Sequence, residues 1–272
     1  MPTTYSHMAF GERVLKALQN NPNTEKIVEN IRSWKEDFWV GLHGPDILFY
    51  YHPLVPNPVS RLGHMMHNRP AGSWFVRLKE LSQNCDAGYA YAMGAACHYI
   101  LDYRCHPFVE AYQEKTGISH GEIELEMDWQ MMVQDGRNPM QYRPADPLKL
   151  HPQLLAPLQS VYPGVSGRQL KRAVESMVFY CGICVCPDEK KRHLLIGAME
   201  LVGLHTLAKG HVITPERNPA CAESTQWLCE KLHQTVPEAV ELLQSFDKYL
   251  SGEGPLPILF RGTFMGPWCF ND

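Results

Sequence analysis

Apolar residues recur at helical spacing along almost the whole chain, and no run of alternating, β-branched residues is long enough to supply a sheet. That periodicity removes most architectures and predicts an all-α protein. A first helix is expected from about Ser6 through Val14, Leu15 and Leu18 to Gln19, and a second from Asn23 or Thr24 through Ile27, Ile31 and Trp34 toward Trp39. Ser6 and Asn23 or Thr24 are the expected N-caps. The stretch 41–58, punctuated by Gly and Pro, is too broken for one long helix and reads as a structured loop with a short helix. Helical patterning returns over 71–81 and 86–106. The second segment holds Gly88, Ala90, Ala92, Gly94, Ala95 and Ala96, small side chains that let neighbours approach a central helix. Ser119-His120-Gly121-Glu122 has the form of a capping box and starts a helix to about Val133. A connector with six prolines spans 138–165, helices follow at 167–182, 188–208, 221–233 and 237–250, and coil from 251 to 272 is expected to pack back on the body. There is no internal repeat.

At 272 residues and 31.0 kDa, one large domain across 1–272 is expected. Hydrophobic residues at 44% and charged residues at 20% exclude a disordered or collagen-like chain. The net charge of -4 supplies no basic face for a polyanion, so nucleic acid is not an expected partner. The start, Met1-Pro2-Thr3-Thr4-Tyr5-Ser6-His7, lacks the pattern of a secretory signal, and no later run approaches a membrane span, which gives a cytoplasmic expectation. The nine cysteines are odd in number and scattered, as reduced thiols would be. Cys181, Cys184 and Cys186 resemble half of a thiolate zinc site, but no second pair completes it, and free thiols are the favoured reading.

Histidine placement points to chemistry. Of 13 histidines, eight (7, 43, 52, 64, 67, 98, 106 and 120) fall in the first 120 residues. His98, Asp102 and His106 follow one another at intervals of four, and each such step advances a helical side chain by only ~40° around the axis. The two imidazoles lie ~12 Å apart along that axis at ~1.5 Å per residue, too far for one tetrahedral zinc, so two metals with Asp102 between them fit better. Pro107 disfavours helical geometry at His106 and is expected to mark a break there. His120 and Glu124 form a second pair at the same interval, brought back after a loop of about 13 residues. The combined pattern, H-x3-D-x3-H-x13-H-x3-E, is far more specific than either pair.

These residues, with His7, Phe10-Gly11 and Val14-Leu15, the segment Gly44-Pro45-Asp46-Ile47-Leu48-Phe49-Tyr50, and His67 after Gly63, resemble the zinc-dependent phospholipase C family, which is related in fold to the P1-type nucleases. The likeness covers about 1–130. It implies a helical bundle, completed over about 146–250, and a hydrolase that cleaves phosphoric esters with metal-activated water. It implies that His67, His98 and Asp102 hold one Zn2+, and that His106, His120 and Glu124 hold another. Asp102 would bridge to a third whose other protein ligand is His7. Asp46 would be catalytic, as general base or water-positioning group. Two zinc positions are expected and a third is open, because secreted members of the family complete it with a processed N-terminal tryptophan, whereas this chain begins Met1-Pro2. The substrate expected is a small phosphodiester or a phospholipid head group.

Ordinary structural roles stand beside these readings. His43, His52, His64, His193, His205, His211 and His233 are expected to be satisfied core residues, with His64 also kept as a rival to His67 as ligand. Glu122, Glu126 and Asp128 read as cap or solvent-facing charges, and Asp46 as a competing helix cap. Phe49, Tyr50, Tyr51, Trp74 and Phe75 line either a cleft or the core. The alternatives in function are a metal-binding regulatory or interaction protein that keeps the fold without turnover, and a hydrolase of a soluble phosphodiester or a nucleic acid.

Overall fold

The computed structural model describes residues 4–267. Among them the regular structure is helical throughout, and the only extended pairing is an isolated bridge between Thr263 and Gly266. The all-α expectation holds. No helix among the described residues is long and apolar enough to cross a membrane.

Helix α1 (Thr4–Gln19) begins before the expected Ser6 cap. Ser6 lies inside the helix, and its amide and hydroxyl donate to Asp128 at 2.6 and 2.5 Å while the Tyr5 amide donates at 2.8 Å. First-turn amides need acceptors and favour a negative charge, so a buried carboxylate supplies what a local cap would have. Asp128 is thus not the solvent-facing charge expected of it.

The expected second helix is divided at Trp34 into α2 (Glu25–Ser33) and α3 (Lys35–Gly41). Neither Asn23 nor Thr24 caps it through a side chain. Asn21 caps the preceding 3-10 turn, and the Thr24 hydroxyl donates to the carbonyls of Leu18 and Asn21. A short 3-10 helix, Gly44–Tyr50, follows as expected.

Helix α4 (Pro58–His67) had no counterpart in the sequence reading. Its start was written in Asn57-Pro58: the Asn57 side chain accepts from the amides of Val59 and Ser60, and Pro58 needs no acceptor. Helix α5 covers Gly72–Asn84.

Helix α6 (Asp86–Thr116) is the buried centre and does not break at His106. Pro107 sits inside it, and continuing past the proline buries Val109 and Tyr112, whose hydroxyl donates to the Ala220 carbonyl at 2.7 Å. Most of the expected loop is therefore helix. Gly117, with φ of 73°, ends it, and a link through Ser119 leads into α7 (His120–Gln134). Only half of the capping box forms. Ser119 accepts from the Glu122 amide, but the Glu122 carboxylate accepts from Asn218 instead.

The small residues of α6 act as expected. A Cβ on Gly94 would lie 2.2 Å from the Phe38 carbonyl oxygen, and one on Gly41 would lie 2.3 Å from that of Tyr91, so α3 and α6 touch backbone to backbone.

The proline-rich connector carries only α8 (Pro152–Leu155) and a 3-10 turn. Helix α9 (Gly167–Cys184) has a full capping box between Ser166 and Gln169. The expected 188–208 helix divides into α10 (Glu189–Leu201) and α11 (His205–His211), with Gly203 at φ of 79° between them. The expected pair 221–233 and 237–250 is one helix, α12 (Ala222–Ser251), with Pro237 inside. The C-terminal segment packs back, as expected, through the fully buried Phe260 and Phe264, which meet Phe75 and Tyr99. The last part of that expectation, 268–272, lies outside the described residues, as does the N-terminal Met1-Pro2.

Candidate metal centre

Every predicted site residue converges on one buried cluster. Helix α1 delivers His7, the 3-10 helix delivers Asp46, and the last turn of α4 delivers His67. Helix α6 carries His98, Asp102 and His106 on one side, and the first turns of α7 carry His120 and Glu124. All are buried except His120, whose side chain is 24% exposed, so the cluster meets solvent at that end.

Asp102 is the hub. One of its oxygens, Oδ1, lies 3.2 Å from His7 Nε2 and 3.6 Å from His106 Nε2, while Oδ2 lies 3.2 Å from His98 Nε2 and 3.9 Å from His67 Nε2. Its two oxygens therefore face two sides, the arrangement a bridging carboxylate requires. Glu124 Oε1 lies 3.0 Å from His120 Nε2 and 3.4 Å from His106 Nε2.

Backbone carbonyls set the imidazole tautomers. Nδ1 of His67 donates to the Gly63 carbonyl at 2.8 Å, that of His98 to Leu42 at 3.2 Å, and that of His106 to Phe264 at 2.9 Å. Each ring then offers an Nε2 lone pair to the cluster. Asp46 Oδ1 lies 2.8 Å from His67 Nε2, yet neither atom has a hydrogen-bond partner, nor do Nε2 of His98 and His106 or Oδ2 of Asp102. Buried lone pairs aimed at one another repel unless a cation lies between them. Imidazole nitrogens and carboxylate oxygens are the donors zinc prefers, and ring nitrogens bonded to carbonyls are the usual orienting partners of metal-bound histidine. The residues fit the metal.

Three groups have ligand atoms within 4.8 Å of one another: His67, His98 and Asp102; His106, His120 and Glu124; and His7, Asp46 and His98. The first two are the sets implied by the family likeness. The third joins His7 to Asp46 as well as to Asp102, and it shares the single available nitrogen of His98 with the first. Asp46 caps nothing, since no side-chain cap bond forms at its helix and both its oxygens are buried without a donor.

Left to protons alone, the cluster holds its charge through ion pairs. Burial raises the Asp102 carboxyl, but His106, His98 and His7 hold it well below the usual carboxylate range. Burial also opposes ionisation of Glu124, which His120 and His106 bring well below its ordinary value. Burial disfavours a charged His106, yet Asp102 and Glu124 lift it to about 9, and His7 is raised against its burial mainly by Asp102.

Of the two candidates on α4 it is His67 that faces the cluster, while His64 is exposed with its ring tilted against Phe49. His52, His193, His205 and His233 are exposed and not core residues, because their helix faces and turns have nothing packed over them. His43 is buried with Nε2 unpartnered, and burial together with His7 and His98 holds it well below its usual value. Glu126 pairs with Arg217, and Glu122 with Asn218, at the junction with α12. Trp74 and Phe75 are core residues. Cys181, Cys184 and Cys186 are free and belong to none of the metal-capable groups among the described residues. Missed altogether were the orienting carbonyls of Leu42, Gly63 and Phe264. The spacing of Gly63 and His67 was the one available signal, since i to i−4 is the reach of a helical side chain to the backbone.

The model of the family described as zinc-dependent phospholipase C matches residues 6–160, more than half of the 272 and all of the cluster. The chain belongs to that family. No curated protein and no solved structure gives a significant match. Family and donor set together support a zinc phosphoesterase.

Proposed function

We propose that the chain hydrolyses a phosphodiester, a small soluble one or a phospholipid head group, with zinc held by His67, His98 and Asp102 and by His106, His120 and Glu124. The carrying observation is the set of buried, unpartnered nitrogen and oxygen lone pairs converging on Asp102. A third position, between His7 and Asp102, extends the same reading. The whole chain acts as one domain in this proposal, because Phe264, from its far end, reaches the centre.

Zinc bound there supplies a Lewis acid that acidifies water and stabilises charge on a phosphoryl group. The protein's own groups do the rest. Asp46, with both oxygens free of donors, sits beside the cluster to take the proton of the attacking water. The water oxygen bonds to phosphorus as the P–O bond to the departing alcohol breaks, the alkoxide takes a proton from solvent, and Asp46 returns to solvent the proton it took. The Leu42, Gly63 and Phe264 carbonyls keep three imidazoles turned inward. The partly exposed His120 marks the side from which substrate enters.

Zinc content and turnover of a bis-aryl phosphate test the reading together. Two or three equivalents of zinc, lost with activity in His98→Ala and Asp102→Asn, are expected. Asp46→Asn is expected to retain most zinc at the first two positions while losing turnover by about 10²-fold or more, the size of a general-base contribution. A folded protein with no bound transition metal would overturn the proposal. Parallel assays on phospholipid and single-stranded DNA sort the substrate.

A further inference from the structure

Helix α10 lies beyond the residues 6–160 that the family model matches, and it carries none of the metal cluster. Its inward side packs on the body, with Arg192 buried and Leu195 and Met199 lining an apolar cavity of about 600 Å³. On its outward side Leu194, Gly197, Ala198 and Leu201 follow one another at i, i+3, i+4 and i+7, and all four are exposed. That spacing gathers them on one face, turned roughly half a revolution from Arg192. Leu201 at 88%, Leu194 at 74% and, at the C-cap, Val202 at 67% are three of the four most exposed large hydrophobic residues among those described. A lone exposed leucine needs no explanation, whereas an apolar stripe at helical spacing is a packing face whose partner lies outside the fold.

The stripe is complementary to itself. Read from either end it runs leucine, two residues, a pair of small residues, two residues, leucine. A twofold axis perpendicular to the helix and passing beside Gly197 and Ala198 sets Leu194 of each copy against Leu201 of the other. The same patch then serves both copies, as an isologous contact requires. At the crossing point a Cβ on Gly197 would meet nothing within 4 Å in the single chain, and Ala198 is exposed, so two backbones approach there without repacking the body.

The edges of the stripe agree with that arrangement. A twofold of this kind lays each edge along the same edge of the other copy, with the chain direction reversed. His193 and Glu200 share one edge, both exposed, so the imidazole of each copy meets the carboxylate of the other. On the other edge Lys191 comes opposite Val202 and meets no like charge. A parallel pair would instead set each leucine against its own equivalent and place the two helix dipoles side by side in the same direction, which is unfavourable.

We infer that the outward face of α10 is the interface of a homodimer, in which two copies of the helix cross antiparallel at Gly197 and Ala198. The inference is independent of the phosphodiesterase reading, since neither metal cluster takes a residue from the other copy. Two helices of 13 residues cover less than the ~1,200 Å² of a permanent interface, so the dimer exchanges with monomer in the micromolar range.

Sedimentation of the full chain across the micromolar range tests this directly. The mass is expected to rise with concentration from 31.0 kDa toward twice that value. Gly197→Leu adds bulk where the single chain has open space, so it is expected to keep or raise the melting temperature, leucine being the better helix former, while weakening dimerisation by about tenfold or more. Leu201→Glu is expected to leave the chain monomeric without loss of stability. Glu200→Lys is expected to weaken the dimer, and adding His193→Glu to it to restore the dimer. Oxidative cross-linking reads the orientation: mixed Leu194→Cys and Leu201→Cys chains are expected to join to each other, and neither to itself beyond the wild-type background. A wild-type chain that stays monomeric throughout overturns the inference, as does a dimer indifferent to Gly197→Leu and Leu201→Glu. Monomer that binds anionic phosphatidylserine vesicles through this face, with binding lost in Leu201→Glu, would assign the stripe to a lipid surface and overturn it equally.

Discussion

At His106 the charges of Asp102 and Glu124 prevail over burial, so the ring keeps its proton up to about pH 9 when no metal competes. Zinc must displace that proton. Loading the chelated protein at pH 7 is therefore expected to release protons, and apparent zinc affinity should climb with pH toward 9. Calorimetry in buffers of differing ionisation enthalpy measures both. The stability of the zinc-free protein has the opposite dependence on this ring. A folded pKa above the unfolded ~6.5 stabilises fully below that value and is lost as pH rises through about 9. Asp102 and Glu124, held low, stabilise above ~4 and lose that contribution as pH falls. Gly44 shows a steric version of the same economy. Its φ is 43° and a Cβ would lie 2.6 Å from His98 Cδ2, so Gly44→Ala is expected to cost about 1–3 kcal/mol in backbone strain and to displace the His98 ring. Thermal unfolding and zinc content check the two effects separately.

Among the elements, α3 and α6 decide whether the carbonyl of Leu42 reaches His98. Their contact runs through Gly41 and Gly94, with no space for a methyl group. Gly94→Ala is expected to lower stability by about 1–3 kcal/mol, the usual cost of overpacking, although alanine is the better helix former. A urea midpoint shifted down without a change in slope would agree, and an unchanged or raised midpoint would not. Helix α6 also shows why its length was misjudged. The proline rule correctly identifies a lost hydrogen bond at Pro107, but the burial of Val109 and Tyr112 within the next two turns outweighs that local cost. The same holds at Pro237 inside α12, where Ala239, Leu243 and Phe246 are buried beyond it.

Across the whole molecule, the C-terminal segment closes the site that the N-terminal helices build. Phe264 packs on His67, Trp74 and Tyr99, and its carbonyl accepts from His106. Phe264→Ala is expected to destabilise by about 3–5 kcal/mol, as loss of a buried aromatic does, and to weaken zinc retention because the turn holding the carbonyl loosens. Metal removal acts on the same scale. A ligand that binds only the folded state adds stability in proportion to the logarithm of its concentration over Kd, so chelation should lower the melting temperature and zinc should restore it. A melting temperature indifferent to chelator would contradict a bound metal linking these helices.

The helical class, most helix positions and the ligand-type residues of α6 and α7 were legible from the sequence, because a period near 3.6 and a spacing of four are properties of the local chain. His98, Asp102, His106, His120 and Glu124 needed only a helix to share a side. What the tertiary structure decided lies between elements: the fusion across Pro107 and Pro237, Asp128 as the acceptor for α1, the choice of His67 over His64, and the carbonyls that aim the rings. None of these has a period. Each depends on which surfaces become buried together, and burial makes an unpaired amide, carboxylate or imidazole costly enough to override the local preference.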